Sequence, residues 1–213
     1  MTEPKINPSL EEIARLLDDN GITWAIFAGM AAFAYGSPRL PAGVDILVPV
    51  AEGDRVAALF PEAQVTRHKG VKVIHLPGFG VLAAGLPDMD LDEQMAARLT
   101  RHEIAGVTVP VIPPEDNILV KGLRGHGPEV GKHDWKDVRE MMVHLPTLDW
   151  KYLYRRASTC GPREHVGQVL ERLEALWRQV GKGPTGPKAF GSSVSTELDE
   201  VSGRGLSRTA KLR

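Results

Sequence analysis

Residues 24–49 read WAIFAGMAAFAYGSPRLPAGVDILVP, and the fold turns on how this stretch is read. The apolar run from Ile22 to Phe27 predicts a buried strand. Ala28-Gly29 turn the chain, and the small apolar residues from Met30 to Tyr35 predict a short buried helix. Gly36-Ser37-Pro38 break that helix. Past Arg39 and a Pro/Gly turn, Val44 to Val48 predict a second strand with Asp45 near its start. Strand, glycine turn, short helix and strand in this order are one way to build a phosphate site. A glycine such as Gly29 lets the backbone approach a phosphate, and a helix N-terminus offers free N–H groups. A carboxylate on the next strand, here Asp45, suits Mg²⁺ held against that phosphate.

Working outward, Asn7-Pro8 read as an N-cap followed by proline at the first helical position. Leu10, Ile13, Leu16 and Leu17 make the apolar stripe of that helix, and Gly21 stops it. Downstream, Gly53 to Phe60 predict a short helix. Val65-Thr66 and Val71 to Leu76 predict strands around the basic turn Arg67-His68-Lys69-Gly70, read as a solvated hairpin tip. Gly80 to Ala84 predict a short buried strand. Asp88, Asp90 and Asp92 read either as a metal cluster or as first-turn acids of a helix from Glu93 to Leu99, and the second reading is preferred. Arg101 to Ile112 predict two strands across Ala105-Gly106. Pro113-Pro114-Glu115-Asp116 open a helix that carries Lys121. A glycine-rich loop with His126 follows, and Asp134 and Asp137 lie one turn apart at the start of the next helix. Two further helices, from Asp149 to Thr159 and from Arg163 to Val180, complete the predicted fold.

The order of glycine, small apolar helix, Gly36, Arg39 and strand resembles the nucleotidyltransferase (polymerase-β-like) fold, in particular its minimal and AbiEii-toxin-like branch. That branch reads Gly-Gly, then Ala, His-Gly and Arg-x-Thr-x-Asp-Ile-Asp before an apolar strand. Ala28-Gly29 stand at Gly-Gly, Tyr35-Gly36 at His-Gly and Arg39 at the arginine. Pro41 stands at the threonine, Gly43 at the first aspartate, Val44 at the isoleucine and Asp45 at the second aspartate. The Pro-Glu-Asp run leading to Lys121 and the stretch from Lys132 to Val138 resemble later motifs of the same family. The resemblance implies that Lys121 neutralises a triphosphate and that Asp134 and Asp137 hold the Lys121 helix in place. It covers about residues 22–145.

Nucleotidyl transfer sets one or two Mg²⁺ ions between carboxylates, the α-phosphate and the attacking oxygen. The family's third carboxylate falls on Leu82, and its first on Gly43. Asp45 alone does not place two ions, so the resemblance implies a degenerate site.

Composition sets the outer bounds. The 213 residues are 42% hydrophobic with a net charge of −1, which supports one sizeable core and gives no global argument for nucleic acid or membrane surfaces. The single cysteine, Cys160, excludes an intrachain disulfide and predicts a reducing, cytoplasmic setting. From Gly181 on, Gly, Pro, Ser, Thr and charges dominate, and Arg204, Arg208, Lys211 and Arg213 give the end a basic character.

The fold class expected is α/β (α+β), a nucleotidyltransferase-like mixed sheet flanked by helices. Residues 1–145 form that domain, 146–181 a C-terminal helical pair and 182–213 a flexible tail. The expected function is a catalytically degenerate protein that binds a nucleotide, RNA or a protein partner through the groove near Gly29, Arg39, Asp45 and Lys121. The alternatives are an active Mg²⁺-dependent transferase of toxin–antitoxin or phage-defence type, with Asp45 as metal ligand and an antitoxin-like partner, and a protein-interaction module that uses the last helices.

Overall fold

The computed structural model describes residues 8–130 and 132–182. The expectations for Asn7, for the chain past Lys182 and for the basic cluster at its end lie outside the described residues. In chain order the elements are α1 (Leu10–Asp19), β1 (Ala25–Phe27), α2 (Ala28–Ala34), β2 (Val44–Val48), α3 (Gly53–Leu59), β3 (Gln64–His68), β4 (Val71–Leu76) and β5 (Phe79–Ala84). They continue with α4 (Glu93–Ala96), β6 (Thr100–Ile104), β7 (Val107–Val111), α5 (Pro114–Arg124), α6 (Asp134–His144), α7 (Trp150–Ala157) and α8 (Arg163–Gln179).

The strands form one seven-stranded mixed sheet in the order β3-β4-β5-β2-β1-β7-β6. β1 runs antiparallel to β2 and parallel to β7, and β2 runs parallel to β5. The mixed α+β architecture expected from the sequence is the one observed. The central strands read as continuous apolar runs because helices cover them: all of β1 and the Ile46–Val48 end of β2 are buried. The edge hairpin β3–β4 turns at Lys69-Gly70, both at positive φ, and every residue of β3 is exposed. This is the solvated hairpin expected there.

Several local expectations are corrected. β1 is shorter than the apolar run that predicted it. The backbone N–H of Ile22 donates to Leu17 O and still closes off α1, while the Trp24 indole donates to Asp18, so ladder pairing begins only at Ala25. The N-cap of α1 is Ser9, in a reciprocal capping box with Glu12, which the Asn-Pro signal concealed. The corner into α2 is made by Ala28 at φ 56°, not by Gly29, and Asn117 of α5 pins it by donating to Ala28 O at 3.1 Å. α4 stops at Ala96, short of Leu99, with Asp92 as its N-cap.

The last two helices share the core with the sheet. Leu153 of α7 and Val166, Leu170, Leu173 and Trp177 of α8 belong to the same buried cluster as Ile13, Ile26, Ile46 and Ile118.

Gly36 shows why the break after α2 needs glycine. It sits at φ 100°, and a Cβ there would lie 2.5 Å from Cγ of His144 on α6. Gly36→Ala is therefore expected to destabilise the fold by about 1–3 kcal/mol. Urea denaturation checks this, and a variant as stable as wild type would show that α2 and α6 are not in this close contact.

Candidate functional site

A cleft of 240 Å³ opens between the sheet and α5. Phe27, Ala28, Asp45 and Leu82 line it from the sheet side, and Val120, Lys121 and Arg124 from α5. Met89, His126, Lys132 and Asp134 close it from the loops and the start of α6. The sheet register explains the placing of Asp45. It pairs with Phe27 of β1 on one side and Gly80 of β5 on the other. Gly80 leaves the space that the carboxylate uses, since a Cβ there would lie 3.3 Å from Asp45 Oδ1. Strand alternation then sets Leu82, two residues past Gly80, on the same face as Asp45.

Among the described residues, no protein hydrogen bond reaches the Asp45 carboxylate. Burial pushes its pKa above the ordinary 3.8, and the nearby charges of Lys132 and Lys121 only partly oppose this. Lys121 is itself buried and committed: its Nζ lies 3.1 Å from Asp134 Oδ1 and 2.8 Å from Asp137 Oδ2. Asp137 also accepts from Ser37 Oγ at 3.1 Å and from Arg39 Nη2 at 2.6 Å. Asp134 Oδ2 accepts from the backbone N–H of His126 at 3.0 Å and lies 3.1 Å from His126 Nδ1. The result is a chain of alternating charge, Arg39, Asp137, Lys121 and Asp134, running beside the cleft and ending in the hydrogen bonds from His126 to Asp134. Burial alone would raise the Asp137 carboxyl. Hydrogen bonds from Arg39 and Lys121 outweigh it and hold the group below 3.8.

The structure thus brings Asp45, Lys121 and Asp134 into one cleft. Asp137 and Arg39 adjoin it through Lys121 without lining it. Gly29 does not line it either: its Cα hydrogen faces Pro41, whose Cβ would be 3.0 Å from any side chain at 29. Arg124 and Met89 lie in the cleft although the sequence reading did not single them out. The available signal for Arg124 was its spacing of three from Lys121 on one helix face.

The three aspartates after β5 serve separate partners. Asp88 Oδ2 accepts from Arg124 Nη2 at 2.7 Å. Asp90 accepts from the backbone of Val50, and Asp92 caps α4 and pairs with Arg156. Among the described residues, no three His, Cys, Asp or Glu side chains converge on one point. Both oxygens of Asp134 are already bonded, and Leu82 offers no donor. The residues present do not fit a pair of Mg²⁺ ions, which need several hard oxygen ligands each.

A second buried cluster joins α5 to α7. Asp116 accepts from Tyr152 Oη at 2.6 Å and from Arg156 Nε at 2.9 Å. Glu115 accepts from the backbone N–H of Asp149 at 2.8 Å. The Pro-Glu-Asp run is thus an anchor for the C-terminal helices.

No protein-family model matches the chain. Over 88 residues it is 40% identical to cysteine desulfurase CsdA of Escherichia coli (strain K12), a match that takes in 38% of this chain and 21% of that protein's length. Among solved structures, it is similar to an antigenic nucleotidyltransferase-like protein from Paracoccidioides brasiliensis, at 20% identity and TM-score 0.45, covering 78% of this chain and 88% of that one. It is also similar to ANT(2″)-Ia in complex with adenylyl-2″-tobramycin, at 14% identity and TM-score 0.45, covering 78% and 95%. A third is the lincosamide antibiotic adenylyltransferase LnuA with lincomycin bound, at 12% identity and TM-score 0.44, covering 64% and 98%. These likenesses are distant in sequence and in superposition. Among the described residues, no helix is long and apolar enough to cross a membrane.

Proposed function

We propose that this chain is a nucleotidyltransferase-like protein that has lost two-metal transfer chemistry and binds a nucleotide through the Asp45 cleft. One observation carries the reading. The strand face that points into the cleft bears a single carboxylate, Asp45, with Leu82 beside it, while Lys132 and Arg124 set positive charge around it. Lys132 has no carboxylate partner among the described residues, and the Asp88 partner of Arg124 is one that a phosphate can displace. Lys121 contributes by its charge and by placing Asp134, not by direct contact with a phosphate. Arg39 acts in the same way through Asp137. The Asp-x-x-Asp start of α6 supports the AbiEii-toxin-like branch, and with it an antitoxin-like protein partner, while the free thiol of Cys160 accords with a reducing, cytoplasmic setting.

Calorimetric titration of mononucleotides, with EDTA and with excess Mg²⁺, tests the reading. Binding with the same affinity in both is expected. Binding that requires Mg²⁺ and disappears in Asp45→Asn would restore the active transferase.

Asp45→Asn has a second expected effect. The Asp45 pKa is raised in the folded state, so the folded protein holds this proton more tightly than the unfolded chain does. That contribution is present below the ordinary 3.8 and is lost as pH rises through the folded value. At pH 7 the neutral amide removes a poorly compensated charge, and the variant gains on the order of 1 kcal/mol. The gain vanishes in acid. Melts at pH 7 and at about pH 3.5 check both signs, and a variant less stable at pH 7 would contradict them.

A further inference from the structure

We propose that the cleft takes a guanine base, with Asp45 reading its Watson–Crick edge and the phosphate lying outward against Lys132 and Arg124. This rests on the reading of the cleft as a nucleotide site and names which end of the nucleotide meets Asp45. In the two-metal arrangement the strand carboxylate faces phosphates through cations. Here Leu82 stands beside Asp45 where a further oxygen ligand for a pair of ions would be needed, and a phosphate set against Asp45 would face a half-buried like charge.

The half-buried carboxylate has no protein donor among the described residues, so a ligand that displaces water from the cleft is favoured when it brings donors of its own. The two carboxylate oxygens accept side by side. Guanine presents N1–H and the N2 amino group side by side and satisfies both. Adenine and cytosine present one amino group next to an acceptor nitrogen, and uracil presents one N–H between two carbonyls, so each leaves an oxygen unpaired or opposes it with a lone pair.

The walls agree with this orientation. Phe27, Leu82, Met89 and Val120 give apolar surface around Asp45, suited to the faces of a heterocycle. The volume of 240 Å³ accommodates a base with part of its ribose and leaves a phosphate at the cationic rim. It falls below the roughly 300–1,000 Å³ of sites that enclose a whole drug-sized ligand.

The test is titration of the full chain in EDTA with GMP, IMP, AMP and inorganic phosphate. IMP differs from GMP in lacking the N2 amino group. GMP is expected to bind at least about ten-fold more tightly than IMP or AMP, the effect of one hydrogen bond to a charged acceptor. Inorganic phosphate is expected to bind far more weakly than any of the three. Asp45→Asn is expected to bring GMP down to the level of IMP. The wild-type series stands by itself if that variant folds poorly. Equal affinity for GMP, IMP and AMP would overturn the guanine assignment and leave the nucleotide-binding function intact. Phosphate binding as tightly as GMP would overturn it too, since the base would then contribute nothing. Absence of binding by all four would overturn both the assignment and the function on which it rests.

Discussion

Lys121→Met is expected to destabilise the protein by roughly 3–5 kcal/mol at neutral pH, the range seen when one partner of a buried ion cluster is removed. For a chain of this size that lowers the melting temperature by on the order of 10 °C. Lys121 Nζ is the shared partner of Asp134 and Asp137, whose side chains are 8% and 1% exposed. Methionine keeps the packing of the stem and takes away only the charge. Asp137 retains Arg39 and Ser37, but Asp134 is left with His126 alone. The pH dependence follows from Asp137. Its folded pKa is depressed, so its contribution to wild-type stability is present above the ordinary 3.8 and is lost as pH falls through the folded value. The gap between wild type and variant should therefore narrow in acid. Adding Asp134→Asn should recover part of the loss, because the stranded charge is then gone. Denaturant titrations at pH 7 and in acid measure each step. A Lys121→Met protein within about 0.5 kcal/mol of wild type would show that the cluster does not hold α5 to α6, and would return Lys121 to the role of a free phosphate ligand.

Arg156→Leu is expected to cost a similar amount, roughly 3–5 kcal/mol. The guanidinium lies between α5 and α7, bonded to Asp116 and paired with Asp92. Burial already pushes the Asp116 carboxyl up, and the Tyr152 hydroxyl and Arg156 hold it down in part. Without Arg156 the folded-state pKa of Asp116 climbs further. The deficit is then largest at neutral pH and shrinks as the solution is acidified towards the ordinary carboxylate range. Asp116→Asn combined with Arg156→Leu should regain stability over Arg156→Leu alone. The shape of the melt carries further information. α7 and α8 contribute to the same buried cluster as the sheet, so the loss should appear as one cooperative transition at lower denaturant. A biphasic curve in which the C-terminal helices melt first would mark residues 146–181 as an independent extension.

Local chemistry carried much of the fold. The apolar run of β2, the glycine after α2, the Lys69-Gly70 and Ala105-Gly106 turns and the proline that opens α5 all act within a few residues of themselves. Their periodicity and turn preference are therefore legible in the chain. The expectation of a lone carboxylate had a different source, the family resemblance, which sets Gly43 and Leu82 where that family carries aspartates. Which groups neutralise one another was a different matter. Lys121 meets Asp137 across 16 positions, Arg124 meets Asp88 across 36, and Arg156 meets Asp116 across 40. Pairings at such separations depend on how helices cross over the sheet. The family resemblance marked Lys121 as a cation suited to phosphate and tied Asp134 and Asp137 to its helix, and the packing of α5 against α6 sets both carboxylates directly on the Lys121 ammonium. Likewise, only the parallel pairing of β2 with β5 set Gly80 beside Asp45, giving the carboxylate space but no partner. Propensity and pattern are properties of neighbours along the chain, whereas desolvation and charge compensation are properties of neighbours in space.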